Sequence, residues 1–529
     1  MKQKIFRSIV CLLIVAPSLC AKAPDEKKVL EAMKQATRFM VDKVSYQGGF
    51  VWSYLPDFSR QWGEMEAYRT MAWVQGGTTQ MGHLLLDVYH ATGDEYYYES
   101  AQKVANALIW GQLPCGGWNY IFDFAGENSL KQWYATIGKS GWRLEEFHHY
   151  YGNATFDDAT TSDAAKFLLR MYVEKYDPVY KPALDKAIRF VLESQYPIGG
   201  WPQRYPLKYD HVFHGKPDYT SYITLNDNVI PENIEFLLQC YQALGTQDVK
   251  EPIMRAMNLM IVLQQGTPLA GWSDQYTIDD LNPAHARSYE PRGVNSGTTV
   301  RMIRGMIEYY KLTGDTKFLA RIPEAIAFLE SQALPESEVR RFGRSNRDSE
   351  AILVPRFICP DTGLPQYVHR RGSNYYNGEY FVDQDISNTV GHYSSASWVN
   401  IPSLKKAYEE ALALSPTALK AESPLYSTAP SPLPKYYTMQ RPGGNLQQDV
   451  KAIIQNMTKE GYWLTPVSFS YPYKEYPKEG FVHTGMEYLS TNAGDEYDTS
   501  PFRKDGVMGI SISVYIANMM RFVAYLEKK

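Results

Sequence analysis

The sequence predicts a predominantly all-α fold, an α/α toroid (an incomplete α/α barrel) of repeated helix pairs with long loops on one face. Three recurrences predict it. A glycine-aromatic turn follows successive helical stretches, as Gly116-Gly117-Trp118, Gly199-Gly200-Trp201 and Ala270-Gly271-Trp272, with Gly48-Gly49-Phe50 one repeat earlier and Thr362-Gly363-Leu364 one later. Tyr89, Tyr172, Tyr241 and Tyr310 keep step with it at intervals of 83, 69 and 69 residues, and three of them have glycine four positions on, at Gly93, Gly245 and Gly314. A Gln-to-Pro ending precedes each turn, at Gln112/Pro114, Gln195/Pro197, Gln265/Pro268 and Gln332/Pro335. A fixed period marks a repeat architecture, and this one is longer than the roughly 34–47 residues usual for helical solenoids. The excess sits in the loops after the turns, which favours a ring over a stack.

The elements follow in order. Val29 to Val44 has a helical apolar pattern and leads into Gly48-Gly49-Phe50, so it reads as the second helix of an incomplete first unit. Unit one has helices over 78–91 and 95–110, unit two over 160–176 and 179–195. Unit three has them over 231–243 and 249–265, unit four over 298–312 and 316–332. In the 160–176 helix Ala164, Phe167, Leu168, Met171 and Tyr172 share one face. Thr-Gly-Asp at 92–94 and 313–315 supplies a glycine end and an aspartate cap. A further helix is expected from about Ser397 to Leu414, closing a toroid domain over 24–415. Residues 421–434 (AESPLYSTAPSPLP) form a Pro/Ser-rich connector. Beyond it a small mixed C-terminal segment, within 416–529, reads as a strap on the toroid or an accessory module.

Composition narrows the function. The chain is 44% hydrophobic and 21% charged, with a net charge of −4, so no basic field points to nucleic acid. Its 41 tyrosines suit sugar rings as well as helix seams. Lys2, Lys4 and Arg7, then IVCLLIVA at 9–16, then small residues over 18–23 read as an export signal spanning 1–23. Export places the protein outside the cell or in a periplasm. Leu19 before Cys20 argues against lipid anchoring, since a small residue is expected there. Cys115, Cys240 and Cys359 remain after cleavage and form neither a disulfide framework nor a metal-ligand spacing. No second apolar run approaches a membrane span. A monomer is expected.

Chemistry collects in the loops. ATFDDATT at 154–161 and ITLNDN at 223–228 offer carboxylates, while the loops carrying Arg287 and Arg370 offer guanidinium forks. Carboxylate oxygens suit a hard cation, and arginine forks suit substrate carboxylates. Each has a plainer role: Asp157 and Asp227 as helix caps, Arg287 as a partner of Glu290. HExxH, CxxC, GxSxG and P-loop patterns are absent, which disfavours zinc hydrolase, serine hydrolase and nucleotide chemistry.

GGWPQRYPL at 199–207, ITLND at 223–227, and Trp272, Gln275 and Tyr276 with Ala286 to Pro291 form an ordered set. Arg356-Phe357 with Pro365, Arg370 and Gly372 completes it. Together, over about 150–395, they resemble pectate lyases of polysaccharide lyase family 10. The resemblance implies an α/α toroid that cleaves α-1,4-polygalacturonate by Ca²⁺-assisted β-elimination, giving 4,5-unsaturated oligogalacturonides. It implies Arg287 as base and Arg370 as the group polarising the substrate carboxylate. Asp157 and Asp227 are implied as carboxylates that hold Ca²⁺ or position the substrate, and Trp201, Gln203, Arg204, Tyr276 and Arg371 are the candidate substrate contacts. The chain departs from the family pattern at Phe156-Asp157-Asp158, Asn228 and Arg371. The first departure leaves Asp157 and Asp158 as alternatives. Two other readings stand beside the lyase. One is a toroidal glycoside hydrolase using Asp157 and Asp227 as acid and base. The other is a non-catalytic pectin-binding protein.

Overall fold

The computed structural model describes residues 24–140, 144–209, 216–342, 348–371, 379–386, 389, 395–427, 429–438, 445–466 and 507–528, without the side chains of 140, 144, 145, 370 and 371. The export signal expected over 1–23 lies outside the described residues. Helix Thr79–Thr92 pairs with Glu95–Gly111, Thr160–Lys175 with Lys181–Glu193, Val229–Leu244 with Lys250–Val262, and Ser296–Thr313 with Ile322–Ser331. The first helix of a pair is buried nearly all round: in 160–175 every residue from Ala164 to Met171 is buried. The second buries a stripe, as Ala183, Leu184, Ala187, Ile188, Phe190 and Val191 do in 181–193. That contrast separates an inner ring from an outer ring, and the fold is the α/α toroid the repeat predicts.

The glycine-aromatic turn binds each unit to the next. The Trp118, Trp201 and Trp272 indoles donate to the carbonyls of Leu108, Val191 and Met260 at 2.7, 2.8 and 2.8 Å, locking the turn onto its own helix. Gly48, Gly116 and Gly199 have φ of +85°, +105° and +115°. A Cβ on them would lie 2.2, 2.3 and 2.6 Å from the backbone oxygens of Lys103, Lys186 and Arg255, all on the next outer helix. Gln112 Nε2 bridges the carbonyls of Gly116 and Ala183 at 2.8 and 2.9 Å, and Gln195 bridges Gly199 and Pro252 at 3.0 and 2.9 Å. In unit three the bridging residue is Gln264, to Ala270 and Arg321 at 2.9 and 3.1 Å, in place of the expected Gln265. The turn there is two residues longer, which moves the glutamine back by one.

The two ends of the chain meet. The turn recurs at Gly461-Tyr462-Trp463, where Trp463 Nε1 donates to Ile453 at 2.9 Å and Gly461, at φ +103°, abuts the Gln35 carbonyl. Helix Ile512–Glu527 packs on helices Glu26–Phe39, Leu446–Asn456 and Thr79–Thr92. Ser53-Tyr54 pairs antiparallel with Ile510-Ser511, and the Tyr525 hydroxyl donates to Pro24 O at 2.9 Å. The helix read as the second half of an incomplete unit thus lies against the last helix of the chain. Before it, the Tyr437 ring lies 5.0 Å from the His83 ring and 4.0 Å from the Arg170 guanidinium, and the Tyr437 and Thr438 N–H groups donate to Asp87. These contacts seat Tyr437 and Thr438 against the inner helices 79–92 and 160–175. Among the described residues no helix is long and apolar enough to cross a membrane.

Short antiparallel ladders knit the loops together at the N-terminal end of the inner helices. Ala154-Thr155 pairs with Arg204-Tyr205, Ile223-Thr224 with Gln275-Tyr276, and Val294-Asn295 with both Trp272-Ser273 and Phe357-Ile358. Each loop is therefore fixed by its neighbour.

Two substitutions test the repeat with opposite signs. Inner helices end on glycine in the left-handed region at Gly93, Gly245 and Gly314, but unit two uses Tyr176 at φ +51°. Tyr176→Gly is expected to stabilise the protein by about 1 kcal/mol. Gly116→Ala is expected to destabilise it by ~3 kcal/mol or more, from backbone strain and the Lys186 clash. Urea unfolding monitored by tryptophan fluorescence reads both.

Candidate active site

Two equivalent turns deliver the first carboxylates. Thr155-Phe156-Asp157-Asp158-Ala159 and Thr224-Leu225-Asn226-Asp227-Asn228 each end in two left-handed residues: Asp158 and Ala159 at φ +51° and +58°, Asp227 and Asn228 at +51° and +58°. Phe156 N–H donates to Gln203 O at 2.9 Å, and Leu225 N–H to Asp274 O at 2.7 Å, so each turn hangs on the next loop. The repeat therefore matches Asp227 with Asp158 and Asn226 with Asp157. Neither Asp157 nor Asp227 caps a helix; Ala159 and Asn228 hold the cap positions, without side-chain caps. The two turns touch, which brings the carboxylates together.

Arg287 enters between them and is fully buried. A tight turn shapes its loop: Ala286 N–H donates to Glu290 O at 3.1 Å and Glu290 N–H to Arg287 O at 2.8 Å. Its Nε donates to Glu146 Oε1 at 2.7 Å, and Nη2 meets the same oxygen and Asp157 Oδ2, the latter at 2.9 Å. Nη1 donates to both Glu290 oxygens at 3.2 and 3.1 Å and lies 3.9 Å from Asp227 Oδ2. Asp157 Oδ2 also accepts the Tyr120 hydroxyl. Arg287 does pair with Glu290, but as one contact of a four-carboxylate cluster.

That cluster carries more acid than base. Burial, then the Asp157 and Asp158 carboxylates, push Asp227 well above the usual carboxylate range, with Arg287 only partly offsetting them. The Asp227 side chain keeps 24% exposure, so repulsion by its neighbours matters beside burial. Burial also raises Glu290, against Arg287. Asn226 Oδ1 is buried beside Asp227 with no hydrogen-bond partner among the described residues. Among the described residues no three His, Cys, Asp or Glu side chains are arranged to hold a metal ion.

The structure thus gathers Asp157, Asp227 and Arg287 and sorts the other expected residues. Arg204 is 3% exposed and reaches the cluster through Tyr120, whose ring centroid is 5.0 Å from its guanidinium. Gln203 is 1% exposed, with neither side-chain polar atom bonded among the described residues. Trp201 and Tyr276, expected to face substrate, are fully buried in the turns. The Trp201 indole is tied to Val191, and the Tyr276 hydroxyl donates to Leu263 O at 2.9 Å and accepts Ser273 N–H at 2.7 Å. Arg370 and Arg371 end the strand Pro365–Arg371, and their side chains lie outside the described residues.

Glu146 and Tyr120 are the residues that sequence reasoning missed. Glu146 sits on the short helix Leu144–Phe147, anchored by Phe147 against Trp73, Trp133 and Tyr120. The sign available was the first tyrosine interval, 83 residues against 69. The added length lies in this loop. Tyr120 stands two residues after Trp118, where Gln203 and Asp274 stand after Trp201 and Trp272.

Two acids of the cluster should respond oppositely to neutralisation. Glu146→Ala breaks a buried pair and is expected to cost about 3 kcal/mol of stability. Asp227→Asn removes a repelled charge and is expected to stabilise the metal-free protein at neutral pH. A raised folded-state value means wild type loses stability as pH climbs above the unfolded value of about 3.9. The advantage of Asp227→Asn should therefore vanish near pH 4 and grow above it, as thermal melts across pH would show.

Comparison with known proteins gives the site a context. No match is found among curated proteins. A family 10 polysaccharide lyase from Cellvibrio cellulosa aligns over 63% of this chain and 98% of its own, with 17% identity and a TM-score of 0.41. A variant of that lyase in complex with trigalacturonic acid aligns over 64% and 99%, with 16% identity and a TM-score of 0.41. An α-1,6-mannanase of a Salegentibacter species aligns over 96% and 100%, with 10% identity and a TM-score of 0.36. The family model described as pectic acid lyase matches residues 131–308. That stretch supplies Glu146, Asp157, Arg204, Asp227, Arg287 and Glu290, and over it this chain is similar to the pectic acid lyase family.

Proposed function

We propose that the protein is an exported lyase that cleaves polygalacturonate by β-elimination. The observation that carries this reading is the coincidence of the pectic acid lyase match with the buried cluster around Arg287. The C5 proton of a uronate is α to a carboxylate, so its removal piles negative charge on an anionic group. Cationic groups at that carboxylate lower the barrier. Arg287 is the group assigned to take the C5 proton, and Arg370 the group assigned to the substrate carboxylate. Glu146, Asp157 and Glu290 favour the charged guanidinium. The base form must therefore be released from this clamp, and activity should rise toward alkaline pH.

Ca²⁺ fits the chemistry of the donors. Asp227, crowded by Asp157 and Asp158, and the unbonded Asn226 Oδ1 are hard oxygen ligands. A bound Ca²⁺ would supply positive charge for the substrate carboxylate. Other oxygen ligands would have to come from water or substrate. Asp157 serves Arg287 and Tyr120, which leaves Asp227 and its turn as the principal cation ligands.

Ultraviolet absorbance from a new C4–C5 double bond should appear with polygalacturonate, fall in EDTA and return with Ca²⁺. A flat trace with new reducing ends would instead indicate the two-carboxylate hydrolase, and binding without either would indicate a pectin-binding protein. Arg287→Ala is expected to lower the rate about 10³-fold. An active Arg287→Ala enzyme would remove it from the chemistry.

A further inference from the structure

The tyrosines that mark the repeat have a task that the loops do not explain. Tyr310 and Tyr241 sit near the C-terminal ends of their inner helices. Their hydroxyls donate to the carbonyls of Leu414 and Ser427 at 2.9 and 3.0 Å. Both carbonyls belong to the chain that leaves helix Ile401–Leu412 through the Pro/Ser-rich connector. Ser431 N–H then donates to Gln242 O at 2.8 Å, and the Tyr437 hydroxyl to Gln239 Oε1 at 2.9 Å. The Tyr437 and Thr438 N–H groups reach Asp87, itself paired with Arg170 at 2.7 Å. Residues 414–427 and 429–438 thus cross the inner helices in reverse order, from unit four to unit one. A cavity of about 400 Å³ lies beneath them, lined by His90, Arg170, Glu174, Tyr176 and residues 430–435. Over that cavity the connector is held at its polar contacts, with open space between.

One of those contacts depends on a proton. His90 Nδ1 lies 2.6 Å from Lys435 O, and Nε2 lies 2.6 Å from Glu174 Oε2. A backbone carbonyl only accepts, so Nδ1 carries a hydrogen. An ionised carboxylate also only accepts, so Nε2 must carry a second. Drawn on Nε2 or on Glu174, that proton belongs to the pair; without it a ring lone pair faces a carboxylate. We propose that His90 is a proton-operated latch: it pins the connector at Lys435 to helix 160–175 at Glu174, and releases it when that proton is lost. The surroundings agree in sign. The Glu174 hydrogen bond raises His90 above its ordinary 6.5, burial opposes this, and the Lys435 carbonyl adds to the rise. Arg170 lowers it by repulsion. The other charges nearby are Asp87, bound to Arg170, and the Lys435 ammonium, drawn to Glu527 at 3.0 Å. The stabilisation is therefore full below about pH 6.5 and is lost as pH rises through the raised value. His83, stacked on Tyr437, acts with the opposite sign. Its Nδ1 accepts from Arg170 at 2.9 Å, so protonating it would loosen the connector in acid. The latch goes beyond the lyase reading and sets, by pH, how firmly the C-terminal segment is held on the toroid.

Hydrogen–deuterium exchange of the full chain, read by mass spectrometry on peptides over 429–438 and corrected for intrinsic rate, tests the latch. Wild-type protection there is expected to fall about tenfold or more between pH ~5.5 and ~9, while peptides over helix 181–193 keep theirs. His90→Gln cannot hold the shared proton, so its connector should start less protected at the acid end and show no such fall. Glu174→Gln gives a neutral imidazole an N–H to accept, so its connector should stay protected to the alkaline end. An equal fall in wild type and His90→Gln would overturn the latch. So would a wild type equally protected at both ends, or one protected only in alkali, which would assign the response to His83. Should His90→Gln fail to fold, Glu174→Gln decides, and a wild-type fall in that variant overturns the proposal.

Discussion

Around the ring, a glycine in the left-handed region rests directly on a backbone carbonyl of the next outer helix. Gly48 meets Lys103, Gly116 meets Lys186, Gly199 meets Arg255 and Gly461 meets Gln35. Only glycine permits the conformation, and a Cβ there would collide with the neighbouring main chain. Backbone touching backbone sets the spacing of the units with atoms that no side-chain substitution alters. Glutamine bridges beside three of the turns add hydrogen bonds to the same joint. Since the joint lies just before each loop, it also fixes where each loop begins.

Everything at the candidate site follows from that placement. The loops leave at one end, pair strand to strand, and present the Asp157 and Asp227 turns in contact. The turns share one geometry, so their acids crowd. Arg287, carried by the next loop, enters the negative field that the first two create. Its neighbours hold it on every side, which gives a precise orientation at the expense of a surplus of acid.

The period, the turn and the order of the charged loops were legible because they are local or recur in sequence. Asp157, Asp227 and Arg287 could be named for that reason. Glu146 could not, since it lies 141 residues from Arg287 and belongs to an insertion that no other unit shares. The pairing of helix 26–39 with helix 512–527 needed the ring to close before it existed. Trp201 and Tyr276 show the opposite limit: they were expected as substrate contacts, and the structure buries both in the turns, bonded to Val191 and Leu263. Gln264 replaced Gln265 because a turn two residues longer shifts a hydrogen-bond partner without disturbing the motif around it.

A site for a polyanion lined with acids looks self-defeating until the charges are considered together. The four carboxylates at Arg287 cannot all be ionised at modest cost, and Asp227 and Glu290 are already pushed toward their neutral forms. An arriving uronate would add another negative charge. The protein can admit it only by bringing positive charge that is not already committed. Arg287 is committed. On the proposed reading, what remains is a cation at the Asp227 turn, where acid is in surplus. On that reading a cation bound there would offset the surplus acid first, and the anionic ligand would then meet positive charge rather than the bare carboxylates.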